Sequence, residues 1–440
     1  MTGSRPHVVC ITRWREHYAA FERYLDHVGN AVTYVVSPIA AESVPGLAAD
    51  TRVVPATDDL PAIRAAVQEL AQQYGPPGAV IALKEDDLLV GAALREEWGC
   101  PGPRIADVLP FRDKYVMSQA VAAAGLPIEP FALAPSVDAV ADFGAAHGWP
   151  VVVKPRAGSA SEGVTRVDGP GQLPGLTLPA DALVQSFNPH HVYHVDGLWD
   201  PQSGGLRWWR AARYLNTCLA FRSGSYLGSV EEDDPALNAA IAEAAERYLA
   251  VLSRSPTVVH LEMFVDEDRR QCVFLEVGAR VGGGETPFLW REVHGYDLIE
   301  QATLIQCGRR PRPPVGLDGL DDLDDADGLD GSDGPAARQP RGWHRPGGEV
   351  AGHLLIPSPV PPPARITAVT SMTGTLPGPY AEALPLPGDI VPLAPSFYEH
   401  VGGRFRFRGP STAAVTDAIL ATAQRFEVHA VPIPKGRGNG

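Results

Sequence analysis

The stretch VVHLEMFVDEDRRQCVFLEVGARVGGGE, residues 258–285, predicts two apolar strands joined by a polar turn. If the turn is centred on Arg269, Glu262 and Glu276 stand directly opposite each other on one face of the hairpin. Facing carboxylates about 5 Å apart repel each other, so we expect a cation between them. Mg²⁺ fits, because it takes one or two carboxylates together with phosphate oxygens and water. A solvated hairpin edge is the alternative, but LEMF and FLEV are too apolar on both faces for it.

Arg280 adds a positive charge beside this predicted metal site. Because side chains alternate along a strand, Gly278 and Arg280 face the same way as Glu276. A guanidinium there could hold an oxyanion through charge-assisted hydrogen bonds. The pattern therefore indicates a site for a metal together with a negatively charged ligand.

Lysine is rare in the chain, with four residues against 33 arginines, so its positions are informative. Lys154 ends the apolar run VVVKP (151–155) and precedes a loop rich in Gly and Ser at 157–163. The amides of such a loop can point at an anion, and phosphate is the anion we expect. The loop lacks the GxxxxGK[ST] spacing of a P-loop, and a turn without function is the alternative interpretation.

A second lysine, Lys114, opens a predicted helix at 112–125. Its compact ammonium suits a single in-line contact with a phosphate oxygen better than the wide fork of arginine does. We expect Lys114 and Lys154 to flank one anion site. An ordinary exposed lysine at the start of a helix is the alternative.

Residues 7–103 alternate apolar strands with helices, which predicts a Rossmann-like α/β domain with a parallel sheet. One of the predicted helices covers 15–28. This domain lacks a GxGxxG motif, so no dinucleotide is expected. Strand signals after residue 349 and a helix at 412–426 predict a C-terminal lobe.

The composition predicts a soluble, globular protein of several domains, since the chain has 440 residues, of which 45% are apolar. It shows no signal-peptide profile and no apolar run near the roughly 20 residues that span a bilayer, so we expect a cytoplasmic protein and no membrane partner. The five cysteines are scattered without CxxC spacing, which argues against disulfides and a zinc site.

The net charge of −15 comes in large part from eight Asp within 318–333. This Asp- and Gly-rich stretch predicts a solvated, disordered insertion. Calcium binding is a minor alternative, because no Glu occupies the twelfth position of an EF-hand loop. Nucleic acid is not an expected partner, since no basic stripe with interleaved aromatic residues appears.

These motifs together resemble the ATP-grasp superfamily, and within it the carboxylate–amine ligases. The resemblance covers roughly 105–310, in the order RDK (112–114), VVVKP with its loop (151–163), a hinge strand (183–188), HLEMF and LEVGAR. It implies an ATP-grasp fold of mixed α/β and α+β class. The implied segments are 1–105 (N-terminal α/β domain), 106–190 (lid subdomain with the phosphate loop), 191–312 (core with the metal site), 313–348 (acidic insertion) and 349–440 (C-terminal lobe).

The resemblance also implies an activity and a set of site residues. The activity is formation of an amide or peptide bond from a small-molecule carboxylate and an amine, with amino acids as substrates, ATP and Mg²⁺ as cofactors and an acyl phosphate as intermediate. The implied ATP contacts are Lys114, Lys154, Ser159, Ser161, Gly163, Gln185, Phe187, Asn188 and His194. The implied metal ligands are Glu262 and Glu276, and the implied catalytic residue is Arg280.

Three positions depart from the pattern of the superfamily. Gln185 stands at the hinge where many members have an acid, so its amide oxygen would meet the adenine amino group. Where a Glu often binds the ribose, the chain has His191-Val192, and His194 is another candidate. Gly278 replaces the Asn of the E-x-N-x-R motif, and a small residue there resembles the L-amino-acid ligases that make dipeptides.

The substrate pockets and the assembly are less strongly indicated. Glu285 is a candidate for binding an ammonium group, and Arg222 with Ser223 is a candidate for binding a carboxylate. A biotin-carboxylase or purine-biosynthesis type of ligase, or a catalytically degenerate nucleotide-binding scaffold, is the alternative. A homodimer is one assembly that the resemblance suggests.

Overall fold

The computed structural model describes residues 5–15, 18, 20–314, 348–392 and 401–433. Almost all of the predicted acidic insertion at 313–348 lies outside these residues. Within them, no helix combines the length and the apolar character needed to cross a bilayer.

The N-terminal residues form a parallel sheet, as the alternation of strands and helices predicts. Its elements are β1 (His7–Thr12), β2 (Ala31–Val36), β3 (Asp50–Val53), α1 (Leu60–Tyr74), β4 (Pro77–Ala82) and α2 (Leu88–Trp98). The strand order is β3-β2-β1-β4, with every neighbouring pair parallel. All four strands therefore end at the same edge, where α/β sheets commonly bind ligands.

The predicted helix at 15–28 is wrong for the described part of that stretch, which has 3-10 conformation at Tyr18 and Phe21–Arg23 and no α-helix. The Asp26 carboxylate accepts hydrogen bonds from the backbone N–H groups of Val28 and Gly29, at 3.0 and 2.8 Å. This local bonding competes with a helix and turns the chain toward β2. Phe21 and Leu25 are nevertheless buried, so their spacing marked a buried face without requiring a helix.

The next segment forms a small antiparallel sheet with flanking helices. Its elements are α3 (Ile105–Val108), α4 (Lys114–Ala123), β5 (Phe131–Leu133), α5 (Val137–His147), β6 (Val151–Pro155), β7 (Thr165–Val167) and β8 (Ala182–Ser186). The strand order is β5-β8-β6-β7. Because β6 and β7 pair antiparallel, the predicted phosphate loop is the turn of a β-hairpin.

A large sheet and a smaller one, with their flanking helices, make up the rest of the described structure. The first elements are β9 (His191–Asp200), β10 (Gly205–Tyr214), α6 (Cys218–Arg222), β11 (Leu227–Glu231), α7 (Pro235–Leu252), β12 (Thr257–Asp266), β13 (Gln271–Gly278), α8 (Thr286–Glu292) and α9 (Leu298–Gln306). The C-terminal elements are β14 (Val350–Ile356), β15 (Ala364–Val369), β16 (Ala381–Ala383), β17 (Ile390–Val391), β18 (Gly403–Gly409), α10 (Thr412–Arg425) and β19 (Val428–Pro432).

The C-terminal strands extend the same sheet, whose order is β13-β12-β9-β10-β11-β14-β18-β16. The remaining three strands form a separate sheet in the order β17-β15-β19. The predicted C-terminal lobe thus shares a backbone hydrogen-bond ladder with the core through the β11–β14 pair. The boundaries predicted for the domains stay predictions.

The two faces of the large sheet differ in character. Leu261 and Met263 of β12 are fully buried in the same hydrophobic cluster as Ile241 and Leu249 of α7. Because side chains alternate along a strand, His260 and Glu262 point to the opposite face. That opposite face carries the polar residues of the site.

Glu262 lies opposite Glu276 in the β12–β13 pair, although not through a symmetric turn centred on Arg269. Close to the turn Asp266 pairs with Gln271, a register that would not oppose the two acids. A register shift directly after Glu262 supplies one extra residue on β13 and brings the acids into register. The bulge, which the sequence did not reveal, therefore sets the opposition.

Asp113 connects α4 to the β6–β7 hairpin, so removal of its carboxylate should lower the stability of the protein. Its carboxylate caps the helix by accepting from the N–H groups of Tyr115 and Val116 and also binds the Arg156 guanidinium. We expect Asp113→Ala to lower the free energy of unfolding by about 1 kcal/mol or more, measured by chemical denaturation.

Asp234→Ala is the matched control, because Asp234 caps α7 in the same way. It should lose about the free energy of one helix cap, whereas Asp113→Ala should lose more, because Asp113 also binds Arg156. Wild-type stability in Asp113→Ala would contradict the capping role.

Candidate active site

A cavity of about 660 Å³ lies where the parts of the fold meet. The carboxyl edge of the N-terminal sheet, the β6–β7 hairpin, the polar face of the large sheet and the C-terminal strands all contribute to its walls. Ten of the residues predicted from the sequence line it: Lys114, Lys154, Ser159, Ser161, Gln185, Phe187, Asn188, Glu262, Glu276 and Arg280.

The two acids on β12 and β13 have different partners. The Tyr214 hydroxyl donates to Glu262 Oε1 at 3.0 Å, and His260 Nε2 lies 3.4 Å from the same oxygen. Burial opposes ionisation, but the hydrogen bond and charge of His260 lower the pKa of Glu262. Glu276 lies 3.3 Å from the Lys114 ammonium. Each carboxylate is thus held from a different side.

This donor set fits Mg²⁺. Two carboxylates from neighbouring strands face one cavity, and hard oxygen ligands are what this cation takes in proteins. Within the described residues, Oε2 of Glu262 accepts no hydrogen bond, since both polar contacts of this side chain go to Oε1.

Both predicted lysines are buried beside the acids. The Lys114 ammonium donates to the Gly158 carbonyl at 3.1 Å, besides its contact with Glu276. Lys154 is only 4% exposed and, among the described residues, has no hydrogen bond or ion pair. Burial lowers the pKa of Lys154 to about 8, although the Glu276 charge partly opposes this. A buried ammonium without a close anion is well suited to bind a phosphate group.

Arg280 lines the cavity but is held by a residue that sequence reasoning missed. Its Nε donates to Glu85 at 2.5 Å, and Arg112 Nη1 donates to the other oxygen of Glu85 at 2.8 Å. Burial would raise the pKa of Glu85, but the two guanidinium groups lower it to about 2. The available signal was the charged run KEDD (84–87) directly after a predicted strand of a parallel sheet.

Gly278 has a structural reason to be glycine. A Cβ at this position would lie 3.3 Å from Cγ of Arg280 and 3.8 Å from the Glu85 carboxyl carbon. A larger side chain would therefore press on the Glu85–Arg280 pair. Gly278, which stands where the E-x-N-x-R motif has Asn, therefore lies directly beside the Glu85–Arg280 ion pair.

The phosphate loop has a constrained backbone. Ala160 and Ser161 have left-handed φ values of 54° and 55°, which are unusual for residues other than glycine, and Gly163 has a φ of 69°. Arg222 donates to the Ala160 carbonyl at 2.9 Å. Gly163 does not itself line the cavity; it lets the chain turn back into β7.

The hinge presents polar atoms that lack protein partners. Within the described residues, Gln185 Nε2 and the Ser186 hydroxyl are buried without a hydrogen bond, and both residues line the cavity. A buried polar group without a partner is costly, so this part of the hinge is polar directly behind the cavity wall. The Asn188 side chain is occupied by Glu129 and the His190 amide, which leaves it a structural part in the hinge.

Apolar residues, which sequence reasoning also missed, line the cavity beside the hinge. They are Val152, Val192, Phe264 and Leu275. The predicted Phe187 joins them, and the Arg166 guanidinium lies 4.2 Å from its ring centroid. Apolar walls next to free polar atoms are typical of sites that bind a planar base.

His194 is not at the cavity wall, so its predicted contact with a ribose is wrong. It is 3% exposed, and its ring nitrogens bond Asp196 Oδ2 at 2.6 Å and the Ser229 hydroxyl at 2.7 Å. Both nitrogens are therefore used inside the sheet. Sequence alternation indicated the correct face but not the depth of the residue.

The three predicted substrate residues also lie off the cavity wall. Glu285 is 2% exposed and bonded to Arg404, with Arg406 at 3.4 Å, so its carboxylate is not offered to an ammonium group. Arg222 holds the phosphate loop, and Ser223 Oγ donates to the Leu219 carbonyl at 3.4 Å. The far end of the cavity is lined instead by Trp14, Tyr18, His353 and Arg404.

The cost of burying Lys154 gives a prediction for stability. The folded pKa of about 8 lies below the ordinary 10.5, so the charged form penalises folding fully below pH 8 and not at all above about pH 10.5. We expect Lys154→Met to raise the free energy of unfolding at pH 7 by on the order of 2 kcal/mol. The gain should shrink as the pH rises from 8 to 10.5, as followed by chemical denaturation.

Lys84→Met is the matched control. Lys84 is similarly buried and lines the same cavity, but its ammonium lies 3.3 Å from Asp86. Its replacement should not stabilise the fold, because it removes a paired charge. Equal stabilisation by both substitutions would count against the burial argument.

No family model matches the chain. In sequence it is similar to an L-arginine-specific L-amino acid ligase of Bacillus subtilis, with 28% identity over 273 residues. That match covers 59% of this chain and 64% of the relative, so the chain spans less than two thirds of the length of this relative.

Two solved structures share the fold across nearly the whole chain. An L-amino acid ligase from Bacillus licheniformis has a TM-score of 0.71 and 18% identity, covering 98% of this chain and all of that one. A biotin carboxylase domain of the Hydrogenobacter thermophilus 2-oxoglutarate carboxylase, in complex with MgADP and bicarbonate, has a TM-score of 0.63 and 14% identity, covering 96% and 91%. The chain therefore has the same fold as these two enzymes.

Proposed function

We propose that the chain is an ATP-dependent carboxylate–amine ligase that joins two amino acids through an acyl phosphate and releases ADP and phosphate. The observation that carries the proposal is the grouping of two opposed carboxylates with two buried ammonium groups around one cavity. The sequence similarity to an L-amino acid ligase supports amino acids as the substrates.

The hinge would bind the adenine of ATP. The base would lie between the apolar walls, beside the hinge residues Gln185 and Ser186. The phosphates would then extend toward Lys114 and Lys154, with the β6–β7 turn above them. The contact of Lys114 with Glu276 supports this orientation, because it places a phosphate-binding group beside a proposed metal ligand.

Glu262 and Glu276 would hold Mg²⁺, which offsets the negative charge of the phosphates when it is bound. The two lysines and Arg280 supply positive charge from the protein itself. Such preorganised charges stabilise a phosphoryl group in transfer more than they stabilise the ground state.

The first step is attack of a substrate carboxylate oxygen on the γ-phosphorus of ATP. The new P–O bond forms as the bond to the ADP oxygen breaks, giving an acyl phosphate and ADP. Arg280 would steady the transferred phosphoryl group after loosening from Glu85, with which it is paired here.

The second step is attack of the amine of the other amino acid on the activated carbonyl. The C–N bond forms, phosphate leaves and the amine loses its extra proton, which gives the amide. Closure of the turn that contains Ser159 and Ser161 would exclude water and protect the acyl phosphate from hydrolysis.

A catalytically degenerate scaffold is less consistent with the site. Such a protein has no need to keep costly buried charges, yet both acids and both lysines face one cavity. The likeness to a biotin carboxylase domain concerns the fold alone, and no observation in the site favours bicarbonate over an amino acid.

The proposed reaction predicts that ADP release depends on both substrates. We expect pairs of amino acids to stimulate phosphate release in the presence of Mg²⁺ and ATP, with a dipeptide detected by mass spectrometry. Bicarbonate as the stimulating substrate, or release without any added amino acid, would contradict the proposal.

Glu276→Ala should abolish phosphate release with the fold intact, because removal of one opposed acid leaves half of the metal site. Glu267→Ala is the matched control, since Glu267 belongs to the same hairpin region but does not line the cavity. Circular dichroism checks folding, and retained turnover in Glu276→Ala would count against the metal assignment.

A further inference from the structure

A chain of buried polar side chains runs behind Glu262. The Ser229 hydroxyl lies 2.7 Å from His194 Nε2, and His194 Nδ1 lies 2.6 Å from Asp196 Oδ2. Asp196 Oδ1 lies 2.9 Å from His260 Nδ1, and His260 Nε2 lies 3.4 Å from Glu262 Oε1. Each link is direct, so the chain ends on one oxygen of a proposed metal ligand.

The register of the sheet places these residues together. Glu262 pairs with His194, and His260 pairs with Asp196, across the β12–β9 ladder. Directly paired residues on neighbouring strands, and the residues two positions further along either strand, have their side chains on one face and within reach of each other. The chain is therefore built on rigid strands rather than on loops.

The polar chain is expensive to bury. Ser229, His194, Asp196 and His260 are each between 1% and 6% exposed. Burying a carboxylate carries a large desolvation cost, and apolar residues of similar volume often replace such groups without loss of stability. A fully bonded buried network, in contrast, fixes the orientation of every member.

The surroundings leave these groups little freedom. A Cβ at Gly282 would lie 2.4 Å from Asp196 Oδ1 and 3.0 Å from His260 Nδ1, so the backbone closes directly over the Asp196–His260 link. The Asp196 carboxylate touches an imidazole on each side. His260 can therefore rotate only by breaking its bond to Asp196.

The result for Glu262 is that one of its oxygens is anchored. The Tyr214 hydroxyl and His260 Nε2 both meet Oε1, whereas Oε2 accepts no hydrogen bond within the described residues. Partners that orient a metal-binding side chain typically change metal affinity by about 10- to 100-fold when they are removed.

We propose that His260, oriented by Asp196, is a positioning residue that fixes the Glu262 carboxylate for a divalent cation. The inference rests on the proposed function, because it takes Glu262 as a ligand of Mg²⁺. It adds His260 and Asp196 to the site as residues that act through Glu262.

Two substitutions of His260 separate positioning from a general structural role. The amide nitrogen of Gln can take the place of Nε2 and keep the contact with Glu262, whereas the shorter Asn can reproduce only the contact of Nδ1 with Asp196. We expect His260→Asn to weaken Mn²⁺ binding about 10- to 100-fold and His260→Gln to weaken it much less. Mn²⁺ affinity is measured by electron paramagnetic resonance with ATP present, and thermal unfolding is measured for both variants.

His294→Gln is the matched control. His294 is also a buried histidine bonded to a carboxylate, at 2.6 Å from Glu231, but it does not contact Glu262. It should leave Mn²⁺ affinity unchanged. If neither variant of His260 folds, Tyr214→Phe tests the anchoring of Oε1, because it removes a hydroxyl that donates to this oxygen and lies 3.5 Å from His260 Nε2. It should weaken Mn²⁺ binding several-fold.

Three results would overturn the inference. Equal loss of Mn²⁺ affinity in His260→Asn and His260→Gln would indicate a structural role. Unchanged affinity in the folded variants would show that Glu262 needs no anchor. The third result is a metal that stays bound to the wild-type protein after treatment with a chelator and is absent from Asp196→Asn. It would mean that His194, Asp196 and His260, which lie close enough to ligate one ion, hold a cation themselves.

The readout also separates this inference from the proposed function. Mn²⁺ binding with ATP requires no amino acid, so a wild-type protein that binds Mn²⁺ normally but forms no dipeptide contradicts only the ligase activity. A wild-type protein that binds no Mn²⁺ contradicts the metal site on which both proposals depend.

Discussion

Two carboxylates that face each other on adjacent strands are the constraint around which the site is organised. Glu262 and Glu276 repel each other at this separation, and burial makes the repulsion stronger because the local dielectric is low. Positive charge from other parts of the fold offsets this repulsion: Lys114 contacts Glu276, and His260 contacts Glu262. Burial lowers the pKa of His260, but the neighbouring Asp196 carboxylate outweighs this effect and raises the pKa of the imidazole to about 9. Two carboxylates that face one cavity are a donor set that suits a divalent cation.

The large sheet makes this arrangement possible by dividing its two faces between packing and chemistry. Leu261 and Met263 pack in the core with α7, while His260 and Glu262, which alternate with them along the strand, face the cavity side. The apolar face supplies the burial that stabilises the strands. The polar face can then carry charges that cost free energy, because the backbone beneath them is already fixed.

The cavity depends on all parts of the fold. Glu85 comes from the edge of the N-terminal sheet, Lys154 from the β6–β7 hairpin, Arg280 from the end of β13, and Arg404 from a C-terminal strand. The Glu85–Arg280 ion pair links two of these parts, and Arg222 links the large sheet to the phosphate loop. Movement of one part would therefore displace residues of the site.

The sequence predicted those features that depend on local pattern. The alternation of side chains placed Glu262, Glu276 and Arg280 on one face, and the rarity of lysine singled out Lys114 and Lys154. Pattern alone failed where depth or bulges matter. His194 and Glu285 have the expected direction or neighbourhood but are buried among their own partners, and the opposition of the two acids comes from a bulge rather than from a symmetric turn.

The sequence by itself determined the strands, the parallel N-terminal sheet and the residue types that a metal and a phosphate require, because these follow from side-chain period and chemistry within short segments. Only the tertiary structure decided that Glu85 holds Arg280 across 195 residues of chain and that Asp196 and His260 anchor Glu262. Such contacts join segments distant in the chain, and they are set by how whole sheets pack, which no local pattern records.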